Sequence, residues 1–196
     1  MEAAHTGYRV MIEAVWLTSG IGREVVLILG GGLLIALAAQ LRVVLPFSPV
    51  PITGQTFAVL LLGALYGSTR GPATVVTYLA LGSLGLPAFA GGAFGIARLF
   101  GPTAGYLVGF VAAAFVVGFL SERGWDRKPW STAVSMLIGN GLIYVAGVLW
   151  LSRFVGWQAV TSTGVLPFLA GDALKIALAT VLLPAGWTFI GRSGQQ

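Results

Sequence analysis

An acidic and a basic side chain, Asp172 and Lys175, stand three residues apart within the apolar stretch LAGDALKIAL. Each would cost about 2.5 to 3.5 kcal/mol at the centre of a bilayer, so such residues usually face an interior cavity and mark a functional site. On a helix, residues at i and i+3 project from one face, where opposite charges partly neutralise each other. The pair therefore indicates a ligand or proton pathway. A structural ion pair, or a lysine that extends to the membrane interface, is the alternative.

A glycine-rich segment, LPAFAGGAFGIARLFGPTAGY, contains a second candidate group, Arg98. Its guanidinium is a planar fork of donors that suits a carboxylate. Gly91 and Gly92 permit close backbone approach to a ligand and a flexible lid. A plain turn whose arginine extends to the membrane interface is the alternative.

Four further polar side chains accompany apolar segments. Thr53 and Gln55 lie in SPVPITGQT, where Thr53 could cap a helix or both residues could face a cavity. Asn140 and Tyr144 are one helical turn apart and share a face. They could line the same cavity, or they could form hydrogen bonds between helices.

The chain that must position these residues has the composition of an integral membrane protein. Of its 196 residues, 57% are hydrophobic and only 9% are charged, whereas about one quarter of a soluble domain is charged. Apolar runs near the roughly 20 residues that cross a bilayer as a helix recur along the sequence. We predict one all-α, polytopic bundle of six transmembrane helices at about 24–41, 54–68, 71–86, 103–121, 132–151 and 166–190.

The second and third predicted helices are short and flanked by Gly and Pro, which indicates tilted or broken helices that line a cavity. If the N-terminus is cytoplasmic, seven of the flanking basic residues fall inside and three, Arg42, Arg98 and Arg153, fall outside. This asymmetry predicts that both termini are cytoplasmic. The segment 8–17 has mixed polarity and fits either a short interfacial helix or a disordered tail.

Several classes of function are disfavoured. The sequence has no cysteine, and its only histidine, His5, lies in a polar N-terminal segment, so we expect no metal and no cofactor. An enzyme that used Asp172 would lack a second intramembrane carboxylate and a Ser–His arrangement. The basic residues are scattered rather than grouped in a nucleic-acid-binding stripe. No GxxxxGK[ST] motif occurs, so any ATP hydrolysis must come from a partner.

Small residues form a strip on the first predicted helix, with Gly32, Ala36 and Ala39 at i, i+4 and i+7. Such spacing permits close approach of a second helix. Spacing alone does not distinguish a helix of the same bundle from one in a separate subunit.

Several motifs, taken in order, resemble the BioY family, the biotin-binding S components of energy-coupling factor (ECF) vitamin transporters. They are PxPxTxQ at 49–55, LGALYGSTRG at 62–71, GLPAFAGGxxG with GPTAGYLxGF at 85–110, IYVAGVLWL at 143–151 and LPFLAGDALKIALA at 166–179. The likeness extends from about residue 25 to residue 187.

The resemblance implies a single BioY-like domain over 1–196, in which segments 1–23 and 191–196 are cytoplasmic and the bundle occupies 24–190. It implies a multi-pass protein of the inner (plasma) membrane that captures biotin from the outer side beneath the 86–102 loop. The implied partners are a transmembrane coupling subunit, contacted through the small-residue strip, and two cytoplasmic ATPases. Gln40 departs from that strip, since a further alanine is expected there. A self-sufficient secondary transporter coupled to protons through Asp172 is the alternative.

The chemistry of biotin suggests roles for the candidate residues. Its ureido group presents two N–H donors beside one carbonyl acceptor. We expect Asp172 to accept, Lys175 to donate and Arg98 to meet the valerate carboxylate, although the reverse orientation stays open. The candidates for apolar cover are Phe89, Phe94, Tyr106 and Trp150.

Overall fold

The computed structural model describes residues 9–17 and 19–193, and this part of the chain is predominantly helical. His5 and the end of the 191–196 tail lie outside the described residues. The α-helices are α1 (Met11–Val15), α2 (Ile21–Gln40), α3 (Gln55–Ser83), α4 (Ala104–Ser121), α5 (Pro129–Val155), α6 (Val160–Gly164) and α7 (Leu169–Ser193). Short 3₁₀ helices span Ile96–Phe100 and Leu166–Phe168, and strands β1 (Arg42–Val43) and β2 (Ile52–Thr53) form an antiparallel ribbon.

The expectation of a helical membrane protein is confirmed in its main part. In the described ranges, four helical segments are long and apolar enough to cross a membrane: Ile21–Gln40, Ala104–Ser121, Pro129–Val155 and Val160–Gly191. The β1–β2 ribbon was not expected from the sequence. Six crossings and cytoplasmic termini stay predictions.

The second and third predicted helices form α3, which is divided by a kink at Gly67 (φ 86°, ψ −177°). This backbone conformation is open to glycine and strained for other residues. The chain reverses there, because a Cβ at Gly71 would lie 3.0 Å from Gly63 Cα, whereas eight residues of continuous helix span about 12 Å. Glu122 accepts hydrogen bonds from the Ser68 backbone N–H at 2.7 Å and the Ser68 hydroxyl at 2.8 Å, so it stabilises the start of the second half.

The long helices pack in chain order, α2 on α3, α3 on α4, α4 on α5 and α5 on α7. In the small-residue strip, Gly32 is buried against α3 and Ala39 is 0% exposed, while Ala36 is half-buried. Gly32 and Ala39 are therefore buried within the bundle, whereas Ala36 stays partly accessible on the surface of α2. The contact of the strip with a separate subunit remains a prediction.

The segment 9–17 contains the short helix α1, which crosses one end of the bundle. Val10 and Met11 are buried, and Met11 lies beside Gly186 of α7. Arg70 forms salt bridges with Glu13 at 3.4 Å and with Glu24 at 2.7 Å. Of the two alternatives for this segment, the described residues favour a short helix, which packs on the protein itself.

The loop between α4 and α5 is attached to the same end of α7 through Asp126. This residue is 1% exposed and accepts a 2.7 Å hydrogen bond from Trp187 Nε1. The Arg127 guanidinium carbon lies 4.5 Å from the centre of the Trp187 ring. Burial raises the pKa of the Asp126 carboxyl to about 6, although the hydrogen bond from Trp187 opposes the shift.

This raised pKa predicts that stability increases as the pH falls. The folded protein binds the Asp126 proton more tightly than the unfolded chain, where the pKa is near 3.8. Its contribution to the free energy of unfolding should therefore rise by about 1 kcal/mol between pH 7 and pH 5. Asp126→Asn keeps an acceptor for Trp187 and should remove that increment. Melting temperatures of both proteins in detergent at the two pH values test this; equal pH dependence would contradict it.

Candidate ligand-binding site

A cavity of about 250 Å³ opens at the end of the bundle that holds the β1–β2 ribbon and the glycine-rich loop. Its walls come from the ribbon, this loop and helices α3, α4, α5 and α7. The volume is just below the lower end, about 300 Å³, of ordinary small-ligand pockets. The cavity therefore suits a compact ligand.

The charged pair that the sequence singled out lines this cavity. Lys175 Nζ lies 3.0 Å from Asp172 Oδ1, and their side chains are 19% and 7% exposed. Lys175 also donates to Thr56 Oγ1 at 2.7 Å, and the Tyr144 hydroxyl donates to Asp172 Oδ2. The expected mutual neutralisation is confirmed. Both charges are also held in place by neutral side chains from other helices.

A second polar group lies at the start of α3. Gln55 Nε2 donates to the Tyr78 hydroxyl at 2.6 Å, and the Thr53 hydroxyl donates to Gln55 Oε1 at 3.1 Å. All three residues line the cavity, and Gln55 is buried. Of the two alternatives for Thr53, the structure supports the one in which it faces the cavity, because the residue that precedes the first turn of α3 is Gly54. Thr53 Oγ1 nevertheless accepts a 3.3 Å hydrogen bond from the Gln55 backbone N–H.

Helices α4 and α5 contribute further lining residues. Asn140 is 5% exposed, and its Oδ1 atom has no hydrogen-bond partner in the described part of the chain. Tyr106 donates its hydroxyl to the Gly164 carbonyl at 2.7 Å, so that its ring lines the cavity. Asn140, Tyr144 and Tyr106 all line the cavity. For Tyr144 both alternatives hold, since it also forms a hydrogen bond between helices, to Asp172 of α7.

The glycine-rich loop covers the cavity through different residues from those expected. Ala90 and Ala93 line it, whereas Gly91 and Gly92 do not. Gly92 donates its backbone N–H to Gln40 Oε1 at 2.9 Å, and Gln40 Nε2 contacts the Ala88 and Phe89 carbonyls at 3.4 and 3.3 Å. Gln40 thus attaches the loop to the end of α2, which accounts for the polar residue that departs from the small-residue strip.

Only some of the aromatic residues that were candidates for apolar cover line the cavity. Phe89 lines the cavity and packs edge-on against Tyr78, with ring centres 5.6 Å apart. Phe94 is 61% exposed, and neither it nor Trp150 lines the cavity. Trp150 instead donates to the Gly101 carbonyl at 2.9 Å. Of the four candidates for apolar cover, Phe89 and Tyr106 are therefore the two that reach the cavity.

Arg98 and Arg42 both line the cavity and are exposed, so they mark its open side. Arg98 is one of the predicted site residues, whereas the sequence indicates only a topological role for Arg42. The cavity is further lined by residues that had no distinguishing signal in the sequence, among them Val44, Ser48, Val50, Thr56, Tyr78, Leu107, Phe110, Ile143 and Phe168. The two-residue periodicity of RVV could have shown that Arg42 and Val44 share a face. The sequence around the remaining lining residues contains no pattern that indicates a binding site.

The fold and the cavity together define a class of protein. The chain is helical and apolar, buried polar side chains that hydrogen-bond to one another line its cavity, and two arginines lie at the open side. These are the features of a membrane protein that binds a small ligand. In the described residues, no group of three His, Cys, Asp or Glu side chains could hold a metal. The model of the BioY family matches residues 11–192. The chain belongs to the BioY family.

Curated relatives and a solved structure agree with this assignment. The chain is 40% identical over 149 residues to the probable biotin transporter BioY of Pyrococcus horikoshii, and the alignment covers 76% of this chain and 86% of the relative. It is 40% identical over 139 residues to the biotin transporter BioY of Thermotoga maritima, with 70% and 81% covered. The crystal structure of the S component for biotin from an ECF-type ABC transporter matches with a TM-score of 0.72 and 25% identity, covering 91% and 96%.

Proposed function

We propose that this protein is the biotin-binding subunit of a membrane vitamin transporter and holds biotin in the cavity beneath the 86–102 loop. The observation that supports this most directly is the Asp172–Lys175 pair, which is nearly enclosed yet lines a cavity. Replacing such a pair with apolar residues often leaves stability unchanged or improved. A pair kept at a cavity wall therefore fits a ligand that uses both charges.

The ureido group of biotin matches the polar end of the cavity. Asp172 supplies an acceptor for its N–H groups and Lys175 supplies a donor for its carbonyl. Gln55 and Asn140 are amides, which can act as donors or acceptors at the same depth. The fused rings and the alkyl chain would contact Phe89, Tyr106 and Phe110. Arg98, at the open side, would meet the carboxylate.

The topology that fits this function has six membrane crossings, with the two halves of α3 as the second and third. Both termini are then cytoplasmic, the cavity opens to the outside, and the protein lies in the plasma membrane as a single domain. The basic residues favour this orientation.

The energy for transport would come from partner subunits, since the sequence has no GxxxxGK[ST] motif. We propose a transmembrane coupling subunit and two cytoplasmic ATPases, by analogy with the ECF assembly that contains the structurally similar S component. The protein is a transport subunit and not an enzyme. A self-sufficient carrier coupled to protons through Asp172 is not favoured by these similarities.

Binding and uptake measurements test the proposal. Mass spectrometry of small molecules retained by the gently purified protein should detect biotin, and isothermal titration should show that it binds. Diaminobiotin lacks the ureido carbonyl and carries basic amines in its place. It should bind more weakly by about tenfold or more, because a charge-assisted hydrogen bond is lost and an ammonium group would face Lys175. Failure to bind biotin would refute the proposal.

In cells, uptake at trace biotin should collapse when the ATPases are deleted. Uptake that persists in the absence of the ATPases and is abolished by a protonophore would favour the proton-coupled carrier.

A further inference from the structure

Arg42 stands at the mouth of the cavity on the β1–β2 ribbon. It is paired with Thr53 across the two strands, and residues directly opposite each other share one face of a ribbon. Val44, two residues further on, lines the cavity as Arg42 and Thr53 do. The ribbon therefore directs this arginine to the cavity.

The guanidinium of Arg42 also contacts the glycine-rich loop. A Cβ atom added to Gly91 would coincide with the Arg42 guanidinium, whose Nη2 would be only 2.7 Å away. Gly91 also has a φ of +75°, which side chains rarely adopt. Glycine at this position thus leaves room for Arg42 between the ribbon and the loop that bears Arg98.

No carboxylate in residues 9–17 and 19–193 lies within salt-bridge distance of Arg42 or Arg98. The acidic residues of these ranges all have partners elsewhere: Glu13, Glu24, Glu122, Asp126 and Asp172. The mouth of the cavity therefore bears two positive charges without an anion from the described chain. Clefts with charges of one sign concentrate ligands of the opposite sign.

We propose that Arg42 is a second carboxylate-recognising residue, which acts with Arg98 to make the site selective for an anionic ligand over a neutral one of the same shape. This inference rests on the proposed function, because biotin supplies the carboxylate. A carboxylate has two oxygens and can accept hydrogen bonds from two guanidinium groups. Bound at the mouth, it would link the ribbon to the 3₁₀ helix Ile96–Phe100, on which Arg98 lies.

The test compares biotin with biotinamide, in which a neutral carboxamide replaces the carboxylate. Isothermal titration at one ionic strength gives the selectivity, which is the ratio of the dissociation constant of biotinamide to that of biotin. In Arg42→Gln we expect selectivity to fall about fivefold, the upper end of the range for one exposed ion pair, and to fall further in Arg42→Gln/Arg98→Gln. Arg42→Lys keeps the charge and should stay within about twofold of the wild type.

Arg153→Gln is the matched control, because Arg153 is an exposed arginine that contacts the Trp150 ring and does not line the cavity. Its selectivity should equal that of the wild type. The inference is overturned if Arg42→Gln keeps the wild-type ratio, or if it weakens both ligands by the same factor, since Arg42 would then support only the loop. A wild-type protein that binds neither ligand would instead refute the proposed function.

Discussion

Asp172→Asn and Lys175→Met are each expected to weaken biotin binding by about tenfold to one-hundredfold. Each substitution removes one charge-assisted hydrogen bond to the ureido group, which is worth about 1.5 to 3 kcal/mol. Each also leaves the opposite charge without its 3.0 Å partner in a nearly enclosed position. Titration of the purified variants with biotin measures the effect. If both variants stay within about threefold of the wild type, the ureido assignment is wrong.

The double variant Asp172→Asn/Lys175→Met separates a ligand-binding role from a structural one. Breaking a buried pair by removing one partner costs several kcal/mol, whereas removing both charges is often nearly neutral. We therefore expect the double variant to recover the melting temperature that the single variants lose, and still to bind biotin weakly. Recovery of both properties would show that the pair is only structural. Tyr144→Phe, which removes one neutral donor to Asp172, should have a smaller effect than either single charge variant.

Gly118→Ala is expected to cause a large loss of stability. A Cβ at this position of α4 would lie 2.6 Å from the Gly67 carbonyl oxygen and 2.7 Å from the Ser68 nitrogen. These atoms belong to the backbone at the kink of α3, so they cannot move aside as a side chain could. Overpacking of this kind costs about 1 to 3 kcal/mol, and more where the backbone resists. The measurements are the melting temperature and the yield of monodisperse protein in detergent.

Gly141→Ala is the control for this substitution. Gly141 lies inside α5, and a Cβ there would meet nothing within 4 Å. The same chemical change should leave stability unaltered or raise it by up to about 1 kcal/mol, because alanine favours the helix. Equal melting temperatures for the Gly118 and Gly141 variants would show that α4 and α3 do not pack as closely as the structure indicates.

Much of the site could be read from the sequence because its strongest signals are unusual residues in an apolar setting. A charged pair in a hydrophobic run is improbable unless it has a role. The amide at the start of a helix and the lone arginine in a glycine-rich loop were weaker signals, each with a structural alternative. Asp172, Lys175, Gln55 and Arg98 accordingly line one cavity. Gly91 and Gly92 were misjudged, because glycine composition does not reveal whether the backbone faces a ligand or, as here, the side chains of Gln40 and Arg42.

Hydropathy, charge bias and residue type, all of them local properties, were sufficient to predict a helical membrane protein and the break between the halves of α3. The convergence of side chains depends on packing between helices distant in sequence, so only the folded chain revealed it. Thr56, separated by 119 residues from Lys175, holds that ammonium group, and Tyr78 meets Gln55 across the kink. Arg42 reaches the cavity only because its two-residue strand pairs with the strand Ile52–Thr53. Such contacts depend on the relative positions of whole helices and strands, and the sequence of a single segment does not determine those positions.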